Sequence, residues 1–242
     1  IFPLLSKRYL FSQVTFFELY DFIDAHGNLN ENVFAYSNKS GNERALVCYH
    51  NKYAETVGWI KKSVGRNVGS TSHAELIHRS LAEALELSSD GKVYYIFKDH
   101  KTQLEFIRSG RELQEQGLYV ELKAFQYHIF LDFRDVYDSS GEYARLAKQL
   151  NGRGVPDLQE EFEMMQLSPV HQKLNELINR KKLELFQNIC RSSSKPSAAT
   201  KLSLSTIVNV YREFLEQVKL KFNGSWDIDL VVEEFKTQIK LI

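Results

Sequence analysis

The residue pattern predicts an α+β chain: an antiparallel β-sandwich over residues 1–138 with one inserted helix, then a helical tail or bundle over 139–242. Three observations predict it. Before residue 138, short runs rich in aromatic and β-branched side chains alternate with turn-forming clusters. In 125–134, Phe125, Tyr127, Ile129, Leu131 and Phe133 alternate with Gln126, His128, Phe130, Asp132 and Arg134, a period of two with one apolar and one mostly polar face. After 138, apolar residues recur at helical spacing.

The first expected strand is 14–23 (VTFFELYDFI). Residues 33–37 and 45–50 read as a hairpin around the turn-forming cluster 38–42. Residues 93–98 and 104–107 read as two strands around a turn at Asp99-His100, and 118–122 and 125–134 complete the set. The inserted helix is marked by Leu76, Ile77, Ser80, Leu81, Ala84 and Leu85, with Ser70, Thr71 or Ser72 as its N-cap. Residues 67–72 read as a mobile loop, and 110–116 as one helical turn. In the tail, 142–150 is an expected helix stopped by Asn151-Gly152, and Pro156-Asp157 opens an acidic helix to about 167. Leu174, Ile178, Leu185 and Ile189 mark one face of a longer helix. Residues 191–203, with RSSSKPSAAT, read as a flexible loop. Ile207, Tyr211, Phe214, Val218 and Phe222 form a further stripe that Asn223-Gly224 ends. Ser225 is the expected cap of a last helix carrying Ile228, Val232, Phe235 and Ile239.

Composition narrows the function. Hydrophobic residues make up 43% and charged residues 26%, which predicts a packed core. Lys+Arg and Asp+Glu both number 31, so the balance gives no electrostatic reason to bind nucleic acid or an anionic membrane. No apolar run reaches the roughly 18 residues that span a bilayer. The two cysteines, Cys48 and Cys190, read as buried free thiols, not as a disulfide framework or a zinc site. No signal peptide is visible, and a cytoplasmic location is expected. The opening Ile-Phe-Pro-Leu-Leu, without an initiator Met, is read as the start of a piece cut from a longer polypeptide.

No constellation assembles a reaction centre. Glu18 and Asp21, and Asp132 and Asp135, lie three apart in strands and so face opposite ways. Cys48 and His50 share a strand face without a third orienting group. His73 and His78 are five apart, the wrong spacing for metal on a helix. His128 shares a face with Asp132 and is placed for a cross-strand hydrogen bond. Gly65-Arg-Asn-Val-Gly69 lacks the Gly-Lys-Ser/Thr ending of a phosphate loop, and Arg180-Lys181-Lys182 reads as a solvated helix face. No catalytic residue, metal ligand or cofactor is assigned. The aromatics carry more: Tyr49, Tyr53 and Trp59 cluster in YHNKYAETVGWI, and Tyr94 and Tyr95 are adjacent in a strand, so one is expected to face outward. Such rings stack on the apolar faces of sugars, or else fill a core.

The stretches VFAYSNKSGNERALVCYHNKYAETVGWIKKS from Val33, IFPLLSKRYLF (1–11), LEFIRSGRELQEQGLYVELKAFQYHIFLDFRDV (104–136) and YARLAKQLNGRGVP (143–156) resemble the region after the catalytic barrel in large bacterial α-amylase-like glycoside hydrolases. The resemblance covers most of 1–156. It implies an all-β domain of the α-amylase C-terminal type that packs on a (β/α)8 barrel of the same polypeptide, with 1–11 as the last segment leaving that barrel. The family's catalytic motifs (an Asp four residues before Asn-His, Arg-x-Asp, and His-Asp) do not occur here, so no catalytic residue is carried over. The expectation is a non-catalytic fragment supporting the barrel of an α-glucan-active enzyme. The alternatives are a carbohydrate-binding module that meets α-glucan through Tyr49, Tyr53, Trp59, Tyr94 and Tyr95, or a helical interaction scaffold.

Overall fold

The computed structural model describes residues 2–12, 14–68, 75–191 and 198–240. The chain is α+β and divides into two compact units, 1–162 and 163–242. The change of texture at 138 therefore precedes the division, and residues 139–162 belong to the first unit.

The first unit opens with a short helix α1 (Phe2–Ser6) and a 3-10 turn at Arg8–Phe11. Strands β1 (Glu18–Asp24), β2 (Val33–Ser40), β3 (Glu43–His50) and β4 (Thr56–Ser63) follow. A two-stranded ribbon pairs β5 (Arg66–Asn67) with β6 (Leu76–Ile77). Then come α2 (Leu81–Ala84), β7 (Val93–Asp99), β8 (Leu104–Ser109), α3 (Gly110–Glu115), β9 (Leu118–Leu122), β10 (Tyr127–Tyr137) and α4 (Glu142–Leu150). Eight strands form one continuous antiparallel sheet in the order β8-β7-β10-β3-β2-β1-β4-β9. The sheet curls, so that the inward side chains of strands far apart in that order share one core. Phe22, Leu46, Ile60, Phe97, Val120 and Phe130 belong to it, together with Leu81, Leu85 and Leu113 of the α2 and α3 segments.

The hairpin turn is tighter than expected. β2 and β3 pair out to Ser40↔Glu43, leaving Gly41-Asn42 as the turn, with Gly41 at φ +58°. Asn38 and Lys39 are buried, and Lys39 is ion-paired to Glu86, which keeps them in the strand. The inserted helix is shorter than its spacing predicts. Leu76 and Ile77 pair with β5, and helix begins only at Ser80, where Ser80 and Glu83 form a reciprocal capping box. The caps expected at Ser70, Thr71 and Ser72, and most of the loop at 67–72, lie outside the described residues.

Strand β10 departs from a simple two-faced strand. Its supposed polar face is the inner one: His128 and Phe130 point into the core. Ile129 and Leu131 are buried on the opposite face, beneath Leu10 and together with Ala45 and Val47. Over residues 128–131 the strand is covered on both sides and has no solvent face. At Asp132 the backbone enters the left-handed region (φ +56°) and the register to β7 shifts between Leu131 and Arg134. Beyond this bulge Phe133 turns inward and stacks on Phe97, with ring centroids 4.9 Å apart.

The division of the chain falls within α5 (Leu158–Leu177), which Asp157 caps by accepting from the Gln159 and Glu160 amides. Helices α6 (Arg180–Arg191), α7 (Ala198–Phe222) and α8 (Ile228–Lys240) belong to the second unit. α5 continues through Pro169 instead of ending near 167. The break comes at Asn179, whose side chain caps α6 by accepting from Lys182 N–H. Asp227, not Ser225, caps α8. Met165, Val170, Ile207 and Val232 are buried here, Tyr211 stacks against Phe235 at 4.2 Å, and Lys173 joins α5 to Glu213 of α7. Of the loop expected at 191–203, residues 192–197 lie outside the described residues and 198–203 lie in α7.

Candidate functional site

The two ends of the sheet order, β8 and β9, face a cavity of about 580 Å³ within the first unit. Its apolar lining includes Leu104, Phe106, Val120, Leu122 and Phe130. Its polar lining includes Glu55, Thr102, Arg108, Glu121, Gln126, His128 and Arg153. β8 is not a bare edge, because Glu105 exchanges both backbone hydrogen bonds with Val155.

At this seam sits the most heavily hydrogen-bonded carboxylate of the described residues. Asp99, fully buried at the end of β7, accepts from Lys101 N (3.0 Å), Thr102 N (3.3 Å), Thr102 Oγ1 (2.7 Å), Ile129 N (3.1 Å) and His128 Nδ1 (2.8 Å). Burial pushes its pKa up, but the donors from His128, Thr102 and Lys101 outweigh that and hold it at about 2. The His128 ring stacks on Phe130, and its Nε2 lies 3.1 Å from the Glu121 carbonyl oxygen of β9. The Gln126 side-chain amide is 3.4 Å from the same nitrogen. Asp99 and His128 thus tie β7, β10 and β9 together. The Asp–His pair has the outline of a base and its orienter, but the outward nitrogen is directed at a backbone carbonyl.

His128 makes the cross-strand hydrogen bond its position suggests, to Asp99 of β7. Asp132 receives His100 Nε2 (2.6 Å) and Lys7 Nζ (3.2 Å). Cys48 and His50 do face the core together. Cys48 is fully buried, which pushes its thiol up to about 12, and His50 Nδ1 lies 3.2 Å from the Lys123 carbonyl. An unionised thiol of this kind is a poor nucleophile. The side chain of Cys190 lies outside the described residues. Among those described, no group of three or more His, Cys, Asp or Glu side chains is placed to hold a metal ion, and no helix is long and apolar enough to cross a membrane.

The five expected aromatics do not form one cluster. Tyr49 lies on β3 beside Phe34 and Tyr127, half-buried, on the face opposite the core. Trp59 shares that outward face but stands on β4, with β2 and β1 between, because β4 pairs with β1 and not with β3. Tyr53 lies in the β3–β4 loop, 86% exposed, with Phe125 at 6.3 Å. Tyr94 and Tyr95 point to opposite faces of β7, Tyr95 into the core, but both are buried and neither is exposed. The Tyr95 phenol oxygen accepts from Ser88 N–H at 2.7 Å inside the core. Trp59 has a partner that the sequence left unmarked: its register neighbour Tyr119 on β9, with ring centroids 5.1 Å apart at 62°.

Compared with known protein families, with curated proteins and with solved structures, the chain matches none.

Proposed function

We propose that the chain is a non-catalytic accessory module of an α-amylase-like glycoside hydrolase, supporting the catalytic (β/α)8 barrel of an α-glucan-active parent. The observation that carries this reading is the seating of residues 4–11 on the outer face of the sheet. Leu10 is fully buried against Ala45, Val47, Ile129 and Leu131. Lys7 Nζ reaches Glu43 at 2.7 Å and Asp132 at 3.2 Å, and Tyr9 donates to Glu43 at 2.6 Å. By the resemblance, this is the segment that leaves the barrel. A segment held by a buried leucine and a four-residue polar clasp couples whatever precedes it to the sheet. In this reading the opposed stretches of the curled sheet stand for the two layers of the family's sandwich, and the helices after 162 are an appended domain.

The commitment of Asp99 and His128 to the seam supports a supporting role over a catalytic one. The test has two arms. The coding sequence upstream of Ile1 is expected to encode a (β/α)8 barrel, and a different domain there overturns the reading. The chain alone is expected to be inert on starch, maltooligosaccharides and aryl glucosides. Turnover abolished by replacing a carboxylate of this chain overturns it equally.

A further inference from the structure

We propose that the outer face of β4 and β9 carries a binding platform, centred on Trp59, for a neutral pyranose oligosaccharide. This goes beyond the accessory role and does not depend on it. Register places Ile23, Trp59 and Tyr119 side by side on β1, β4 and β9, and a bridge from Ile23 to Leu29 extends the row. Tyr119 is 39% exposed and Leu29 52%. Against this row lies an open depression of about 410 Å³ lined by Ile23, Trp59, Lys61, Glu115 and Gln116.

The rim selects the ligand. The side chains of Lys61, Glu115 and Gln116 have no hydrogen-bond or ion-pair partner among the described residues. They offer a donor, an acceptor and an amide that is both, around the half-buried Trp59 ring that lines the depression. A pyranose ring meets that arrangement: its C–H face stacks on the aromatic ring, and its hydroxyls both give and take hydrogen bonds at the edge. An apolar partner would bury the three polar ends unsatisfied, at a cost for each. An anion would meet Glu115, and a cation Lys61. The exposed Tyr53–Phe125 pair lines neither this depression nor the cavity between β8 and β9.

The experiment titrates the full chain with a panel of neutral hexa- and heptasaccharides, among them maltoheptaose, cellohexaose and xylohexaose. Tryptophan fluorescence and calorimetry are the readouts, in a Trp226→Phe background that leaves Trp59 as the sole indole. At least one saccharide is expected to bind saturably, with Kd between about 10 μM and 1 mM. Trp59→Ala is expected to weaken it roughly tenfold or more, and Glu115→Gln or Gln116→Ala roughly threefold, while Tyr53→Ala leaves it unchanged. Circular dichroism checks folding. If Trp59→Ala fails to fold, the two rim variants decide. The proposal is overturned if no saccharide of the panel binds at about 10 mM. It is also overturned if both rim variants bind as tightly as the parent, or if Tyr53→Ala abolishes binding.

Discussion

Two buried carboxylates face the same core and are treated in opposite ways. Asp99 is 0% exposed and accepts five hydrogen bonds, two of them from amides of its own turn and one from the neighbouring strand. Glu18 is 4% exposed, and its Oε1 accepts none: the nearest cations are Arg79 Nη1 at 3.4 Å and Arg66 Nη2 at 3.8 Å. The difference follows from position. Asp99 ends a strand, where the chain turns back and backbone N–H groups are free of the ladder. Glu18 begins a strand already paired to Ser37, so only side chains can reach it. One acid is held by fixed backbone dipoles, the other by two arginines whose side chains remain about one third exposed. A buried charge held by rigid local donors is integral to the fold, whereas one screened by half-solvated cations is close to dispensable.

That contrast can be broken or sharpened by experiment. The largest effect is expected for Asp99→Ala, which strands His128, the Thr102 hydroxyl and three amides. A loss of about 3–5 kcal/mol in urea unfolding is expected, and a loss under about 1 kcal/mol would erase the distinction. Acid comes next. The folded carboxyl of Asp99 titrates at about 2, below the unfolded value of about 3.9, so its contribution is complete above pH 4 and disappears as the pH falls through 2. It amounts to on the order of 2 kcal/mol, read as the difference in pH dependence between the parent chain and Asp99→Asn. His128→Gln keeps one donor but gives up the simultaneous grip on Asp99 and the Glu121 carbonyl. It is expected to cost about 1–2 kcal/mol and to speed hydrogen exchange in β9 more than in β2. The smallest effect is expected for Glu18→Gln, within about 1 kcal/mol of the parent, since Arg66 and Arg79 can turn to water. A loss as large as that of Asp99→Ala would show that the arginine clasp is as rigid as the backbone one.

What the sequence made legible follows from the range of the interactions involved. The hairpin of β2 and β3, the strands β7 to β10 and the stop at Asn151-Gly152 are written in local periodicity and turn residues. Asn151 and Gly152 do adopt positive φ. Leu76 and Ile77 fit a helical stripe, and only their pairing with Arg66 and Asn67 makes them a strand. Period-two patterning alone turns the polar residues of β10 outward, but His128 is acceptable inside once Asp99, 29 residues earlier, meets it. Trp59 stood out by residue type, but its partner Tyr119 emerges only from the β4–β9 register. The same pairing order separates Tyr49 and Tyr53 from Trp59, although all three lie within eleven residues of sequence.

The strand order has a consequence for how the chain reaches this state. β10, the last strand to be synthesised, lies between β7 and β3, so it joins two groups that are otherwise unconnected: β8-β7 on one side and β3-β2-β1-β4-β9 on the other. Until the ribosome has released residues through about 137, the nascent chain holds two half-sheets, with β3 and β7 presenting open hydrogen-bonding edges. Pairs such as Phe130↔Leu46 close loops of many tens of residues, so assembly is slow for a domain of this size, and any chain cut short before β10 exposes two sticky edges to its neighbours.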